Sequence, residues 1–156
     1  MRSNYLSVPT DCPQRNERLG WTADTQVFAE TGTFFANTSS FFHKWMRDMA
    51  DTQSESGGFP GVAPLAQYGN EMMRLWWADA GIIVPWVIWK QFGDNTIVNQ
   101  CWESMEKFIA HVNSTRYDHN ALITDRRKRK LSVGWLAQLW AAWKLQRQSI
   151  LYWYRW

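Results

Sequence analysis

The sequence has few of the features that would assign it to several large protein classes. Its 156 residues include two cysteines, Cys12 and Cys101, which are too few for a disulfide framework. We expect both to be buried thiols. No Cys/His spacing is typical of zinc, so no metal site is expected. The longest apolar stretch, GIIVPWVIW, has about half the length that a membrane-spanning helix needs. No secretory signal is visible, and the localisation stays unknown.

Strand-like alternation of apolar and polar residues is also missing, and four segments have helical spacing instead. These segments are 22–37, 38–53, 77–93 and 94–115. Glycine and proline recur through 54–70, which predicts a long loop of the kind that is usually functional. Gly93 is the predicted stop of the third helix and Asp94 the predicted cap of the fourth. The sequence therefore predicts an all-α fold built from helical hairpins.

Each predicted helix has apolar positions available for burial. They are Val27, Phe28, Phe34 and Phe35 in the first helix, Phe41, Phe42, Trp45, Met46 and Met49 in the second, and Ile97, Val98, Cys101, Met105, Phe108, Ile109 and Val112 in the fourth. The third helix is apolar nearly all round, so we expect it to be buried on most sides. Four helices supply few neighbours for it, which indicates that packing partners are missing.

The net charge of +3 is unevenly distributed along the chain. Residues 1–120 contain nine Lys and Arg against 13 Asp and Glu, a net charge of −4. Residues 121–156 contain eight against one, a net charge of +7, together with five of the 12 tryptophans. The two parts need separate interpretations, and no binding to nucleic acid or membrane is expected from residues 1–120.

The segment PTDCPQRNERLGWTAD, residues 9–24, gathers three carboxylates, Asp11, Glu17 and Asp24, around Arg15 and Arg18. One interpretation is a surface turn held by ion pairs, each worth less than about 1 kcal/mol. The other is cleavage of a glycosidic bond. That chemistry needs one carboxyl group that stays protonated, and further carboxylates that anchor the sugar and stabilise an oxocarbenium-like transition state. Neighbouring carboxylates raise the pKa of such an acid.

Longer strings in the sequence resemble one family. RSNYLSVPTDCPQRNERLGWTADTQVFA resembles the start of the catalytic domain in α-L-rhamnosidases of glycoside hydrolase family 78. The strings FFHKWMRDMADTQ, GGFPGVAP and WWADAGIIVPWVIWKQFGD are similar to the next blocks of that domain, in the same order. The resemblance covers residues 2 to about 120. It implies an incomplete (α/α)6 barrel of helical hairpins, and an activity that removes terminal α-L-rhamnose with inversion.

The resemblance also implies roles for individual residues. Glu17 matches the general acid, and Asp11 and Asp24 match carboxylates that bind the rhamnose hydroxyls. Trp21 and Trp77 match aromatic walls of the sugar pocket. The chemistry that the resemblance implies uses no metal or organic cofactor.

The second carboxylate of an inverting hydrolase, the general base, lies about 6.5–9.5 Å from the acid. In the family this base comes from late in the barrel, and no residue before 120 matches it. Asp125, the one acid after residue 120, lies beside RRKRK and matches no family motif. We therefore predict that this chain is a fragment with little or no activity alone. Its expected partners are a rhamnose-containing glycoside or oligosaccharide and the missing remainder of the barrel.

The basic, Trp-rich tail, residues 121–156, supports three interpretations. It could bind nucleic acid through phosphate contacts and stacking, or lie as a cationic helix on a membrane surface. It could also result from a reading-frame shift near residues 121–125, and the abrupt end of the resemblance favours this interpretation. The alternative function is accordingly a non-catalytic helical protein that binds membrane or nucleic acid through its tail. A structural subunit completed by another chain is the remaining possibility.

Overall fold

The structure, a computed structural model, describes residues 3–67 and 77–115. Within these residues it contains four α-helices: α1 (Thr22–Phe35), α2 (Ser39–Asp51), α3 (Ala80–Phe92) and α4 (Asn95–Thr115). Each helix lies inside a segment that the spacing predicts, and the β structure of the described residues is limited to isolated bridges. The all-α class is therefore confirmed. The tail and its predicted boundary at residue 120 lie outside the described residues.

Helix α3 is the centre of the fold and packs against each of the other three helices. Its buried residues are Ala80, Gly81, Ile82, Val84, Pro85, Val87 and Ile88, which confirms the predicted burial on most sides. Gly81 permits a close approach, because a Cβ atom at this position would overlap the Phe59 ring. Gly93 ends the helix in the left-handed conformation, with φ of +67°, as its predicted stop requires. None of the helices in the described residues is long and apolar enough to cross a membrane.

Helices α2 and α4 bury the apolar stripes that their spacing predicts. The fully buried members are Phe42, Trp45, Met46 and Met49 in α2, and Ile97, Cys101, Met105 and Phe108 in α4. Phe41 is half-buried and stacks on the Tyr5 ring at a centroid distance of 4.6 Å. Burial raises the pKa of the Cys101 thiol to about 12, as expected for a thiol inside a helical core.

The predicted apolar face of α1 is wrong. Val27, Phe34 and Phe35 are 80%, 76% and 71% exposed, respectively. The buried positions of this helix are instead the small residues Thr22, Thr25, Ala29 and Gly32. Small side chains let the α1 backbone approach its neighbours closely, so the large apolar side chains face away from the described core.

Asp94 lies at the turn between α3 and α4 and connects α2 to that turn. Its Oδ2 atom accepts a hydrogen bond from Ser39 Oγ at 2.7 Å and lies 2.8 Å from His43 Nε2. Its Oδ1 atom accepts from the Thr96 N–H at 3.0 Å, which caps α4 as predicted. Partial burial acts to raise the pKa of Asp94, but the hydrogen bonds that it accepts outweigh this effect and hold the pKa well below its usual range.

Candidate functional site

Residues 3–20 form a loop that is closed by its own hydrogen bonds. The Asp11 N–H donates to the Leu19 carbonyl at 3.1 Å, which joins the two ends of the carboxylate segment. The Asn4 side chain donates to the carbonyls of Thr10 and Asp11 at 3.0 and 3.1 Å. These contacts fix the backbone on both sides of Asp11 without helix or strand, and the prolines of this segment are compatible with such a loop.

The carboxylate loop is anchored to the loop that follows α2. The Ala63 N–H donates to the Gly20 carbonyl at 3.0 Å, and the Thr22 N–H donates to the Gly61 carbonyl at 2.9 Å. A Cβ atom at Gly20 would lie 2.5 Å from the Ala63 carbonyl oxygen, so this approach requires glycine. The buried Trp45 indole N–H donates to the same Ala63 carbonyl oxygen at 2.9 Å. The glycine-rich loop therefore supports the segment that carries the carboxylates.

A cavity of about 510 Å³ lies between the carboxylate loop, the first two turns of α1 and Trp77. Its lining residues are Asn4, Tyr5, Pro9, Thr10, Asp11, Ala23, Asp24, Thr25, Val27, Phe28 and Trp77. Three of the predicted site residues, Asp11, Asp24 and Trp77, thus share one cavity. Trp77, 39% exposed, adds an aromatic side chain to a cavity that two carboxylates also line. This combination suits a ligand that has both hydroxyl groups and an apolar face.

Glu17 lies next to this cavity and is absent from its described lining. A carboxylate oxygen of Glu17, one of Asp11 and the Cys12 sulfur all lie within 4.8 Å of one another. The loop thus brings the predicted acid close to one predicted sugar ligand. Exposed acidic groups are common without a bound ion, and we assign no metal to this trio.

The electrostatics of the cluster act on Asp24. The partial burial of this carboxyl group is the largest cause that raises its pKa, and the negative charges of Asp11 and Glu17 add to it. The charges of two carboxylates therefore act on the third, a group predicted to bind sugar hydroxyls.

The arginines of the segment contribute little to the cluster. Arg15 Nη1 lies 3.8 Å from Glu17 Oε1, and the two side chains are 68% and 33% exposed. Such a pair is worth less than about 1 kcal/mol in water. Arg18 has a φ of +46°, in the left-handed region that non-glycine residues rarely adopt, so the backbone directly after Glu17 is strained.

Trp21 does not line the cavity in the described structure; it is half-buried, and its backbone forms an isolated bridge with Val62. The prediction that Cys12 is a buried thiol is wrong, since this side chain is only half-buried.

Sequence reasoning missed Asn4 and Tyr5, which also line the cavity. The Tyr5 ring stacks on Phe41 and meets the edges of Phe28 and Phe42 at centroid distances of 6.0 and 5.6 Å. Burial raises the pKa of Tyr5 to about 12, and within the described residues its hydroxyl has no hydrogen-bond partner. Both residues precede the first helix, where apolar periodicity gives no signal. Their one signal was membership of the string RSNYLSVPT.

Residues 1–149 match the family described as the bacterial alpha-L-rhamnosidase 6 hairpin glycosidase domain. Among curated proteins, an alpha-L-rhamnosidase from Formosa agariphila is 39% identical over 118 residues, which cover 76% of this chain and 13% of that protein. An alpha-L-rhamnosidase from Streptomyces avermitilis is 39% identical over 112 residues, 71% of this chain and 11% of that protein. The chain thus spans about an eighth of the length of these relatives.

Solved structures give the same result. An alpha-L-rhamnosidase from Dictyoglumus thermophilum superposes with a TM-score of 0.70 at 32% identity, over 75% of this chain and 13% of the other. The Streptomyces avermitilis alpha-L-rhamnosidase, solved in complex with L-rhamnose, superposes with a TM-score of 0.66 at 36% identity, over 72% of this chain and 11% of the other.

Proposed function

This chain belongs to the family of bacterial α-L-rhamnosidase six-hairpin glycosidase domains, and we propose that it carries the acid side of a rhamnosidase active site. In this proposal Glu17 protonates the glycosidic oxygen while water attacks the anomeric carbon from the opposite face. Asp11 and Asp24 accept hydrogen bonds from the rhamnose hydroxyls. Trp21 and Trp77 form aromatic walls of the sugar pocket.

The observation that carries the proposal is the shared cavity of Asp11, Asp24 and Trp77, with Glu17 within 4.8 Å of Asp11. Ionised carboxylates accept strong hydrogen bonds from hydroxyl groups, and an indole packs on the apolar face of a sugar. The cavity volume of about 510 Å³ lies inside the range of about 300–1,000 Å³ that is usual for small-molecule sites. A terminal sugar and part of its aglycone fit that size.

The same geometry supports a binding role for Asp11 over a role as general base. An attacking water in an inverting enzyme occupies a gap of about 6.5–9.5 Å between acid and base. One carboxylate oxygen of Asp11 lies within 4.8 Å of one of Glu17, which is too close for that water. In this proposal the base comes from another part of the barrel.

The remainder of a six-hairpin domain is accordingly the proposed structural partner of this chain. The described residues contain four helices, and the relatives are about eight times longer than the matched region. Further hairpins would cover Val27, Phe34 and Phe35 on α1, which are exposed in the described structure. Covering them removes a large apolar area from water and stabilises the barrel.

The test is an NMR titration that measures the binding of L-rhamnose to this chain. We expect weak binding, and we expect Asp11→Asn or Asp24→Asn to weaken it about 10-fold or more, since each removes a hydrogen bond to a charged group. Asp51→Asn, at an exposed position of α2, is the matched control and should bind as the unaltered chain does. Binding that none of these variants alters would contradict the proposal.

An aryl α-L-rhamnoside assay addresses the missing base separately. We expect little or no turnover by this chain alone. Robust turnover that Glu17→Gln abolishes would show that the base lies within these 156 residues, and that part of the proposal would be wrong.

A further inference from the structure

We propose that the Cys12 thiol is a positioning group that holds the Asp11 carboxylate in the cavity. This inference rests on the proposed function, because it assigns a reason for the orientation of a proposed sugar ligand. Cys12 itself does not line the cavity in the described structure, so it would act through Asp11.

The backbone and the side chain of Asp11 are held by different groups. Its backbone is held on both sides, by the Leu19 carbonyl and by the Asn4 amide. Its side chain is held separately: Cys12 Sγ donates to Asp11 Oδ2 over a distance of 2.7 Å. Without that contact the carboxylate could rotate about its own side-chain bonds while the loop stayed in place.

The neighbourhood supplies a reason why such a contact is needed. Asp11 faces like charges, since Glu17 lies within 4.8 Å and Asp24 is close enough for Asp11 to raise its pKa. Repulsion between carboxylates favours conformations that separate them. A hydrogen bond at Oδ2 opposes this separation, and it leaves Oδ1 able to accept from a sugar hydroxyl.

A thiol suits this role because it stays a neutral donor beside acids. The hydrogen bond to Asp11 is the largest cause that raises the pKa of Cys12, and partial burial and the Asp11 charge act in the same direction. The proton that Cys12 donates is therefore retained at neutral pH. The same bond makes the thiol a slow nucleophile, so the rate at which the thiol is alkylated reports on the bond.

The first experiment measures the rate of Cys12 alkylation by iodoacetamide between pH 6 and 10, with peptide mapping by mass spectrometry. We expect Asp11→Asn to raise the rate at pH 7.5 several-fold and to move the pH midpoint down, because the thiolate is no longer opposed by the carboxylate. Cys101 is buried and serves in the same sample as a site that stays unmodified while the fold is intact.

Glu17→Gln is the matched control for this measurement. It removes a charge within 4.8 Å of the thiol, but Glu17 contributes to the Cys12 pKa only as the smallest of its causes. We expect a clearly smaller change than Asp11→Asn gives. Equal effects of the two variants would show that general negative charge, and not the hydrogen bond to Asp11, slows the alkylation of Cys12, and this would overturn the inference. An unchanged rate in Asp11→Asn would overturn it as well.

The second experiment compares Cys12→Ala and Cys12→Ser in L-rhamnose binding. We expect Cys12→Ala to weaken binding about three- to ten-fold, because the Asp11 carboxylate loses one contact that orients it, and Cys12→Ser to restore most of the loss because a hydroxyl also donates. Wild-type affinity in Cys12→Ala would overturn the inference. If the unaltered chain binds no rhamnose, the proposed function fails, whereas the alkylation rates still decide whether Cys12 holds Asp11.

Discussion

Two carboxylate sites in this chain differ in the groups that surround them. Asp94 is surrounded by donors: a hydroxyl, a backbone N–H and a histidine ring contact its oxygens at 2.7–3.0 Å. In the other site a thiol donates to Asp11, a weak arginine contact reaches Glu17, and the negative charges of Asp11 and Glu17 act on Asp24. The pKa of Asp94 is lowered, and that of Asp24 is raised.

This difference separates a structural carboxylate from carboxylates that are available to a ligand. The oxygens of Asp94 accept hydrogen bonds from groups inside the protein, and these bonds join helices. Asp11 and Asp24 lie at the wall of a cavity, where their oxygens can accept hydrogen bonds from a ligand, and the negative charge of Glu17 lies close to Asp11. Clusters of this second kind occur preferentially at functional sites.

The largest effect should come from breaking the structural carboxylate. Asp94→Asn removes the charge that Ser39 and His43 contact, so we expect a loss of about 1.5–3 kcal/mol in the free energy of unfolding. Urea denaturation followed by circular dichroism measures this change. The exposed variant Asp51→Asn should shift the free energy by less than about 0.5 kcal/mol.

The stability difference between the unaltered chain and Asp94→Asn should also depend on pH. Because the folded pKa of Asp94 is lowered, its contribution is present above the unfolded value, about 3.9, and is lost as the pH falls below that value. The stability difference between the unaltered chain and Asp94→Asn should therefore be constant above about pH 5 and shrink toward pH 3. A difference that does not depend on pH would contradict the assigned role of the charge.

A smaller effect of opposite sign is expected at Asp24. Its raised pKa means that the ionised form is disfavoured in the folded state, so the penalty exists above the folded pKa and disappears as the pH falls through it. Asp24→Asn should stabilise the chain at pH 7 by less than about 1 kcal/mol while it weakens rhamnose binding. Thermal unfolding at pH 7 and pH 3 measures the gain and its loss. Destabilisation at pH 7 would show that Asp24 is a structural group like Asp94.

The fold was predictable where large apolar residues meet partners from the same chain. The α2 stripe around Phe42 and Trp45 and the α4 stripe around Phe108 are buried as their spacing predicts. The α1 face around Phe34 was not predictable, because spacing identifies an apolar surface and not the surface that covers it. In the described residues α1 is buried through Ala29 and Gly32 instead.

The candidate site was predictable only in part, for a similar reason. The resemblance selected Asp11, Asp24 and Trp77, which share a cavity although 66 residues separate the first from the last. It could not find Tyr5, whose burial depends on three phenylalanine rings from α1 and α2. Such contacts are produced by tertiary packing, and a local sequence pattern carries no record of them.

The most direct test of the central claim is an NMR titration of this chain with L-rhamnose that observes the aspartate carboxyl carbons and the tryptophan indole N–H groups. D-glucose serves as the comparison sugar. We expect L-rhamnose to shift the signals of Asp11, Asp24 and Trp77 and to leave the signal of Asp94 unchanged. Equal shifts with both sugars, or shifts at Asp94 without any at Asp11 and Asp24, would contradict the assignment of the cavity as a rhamnose site.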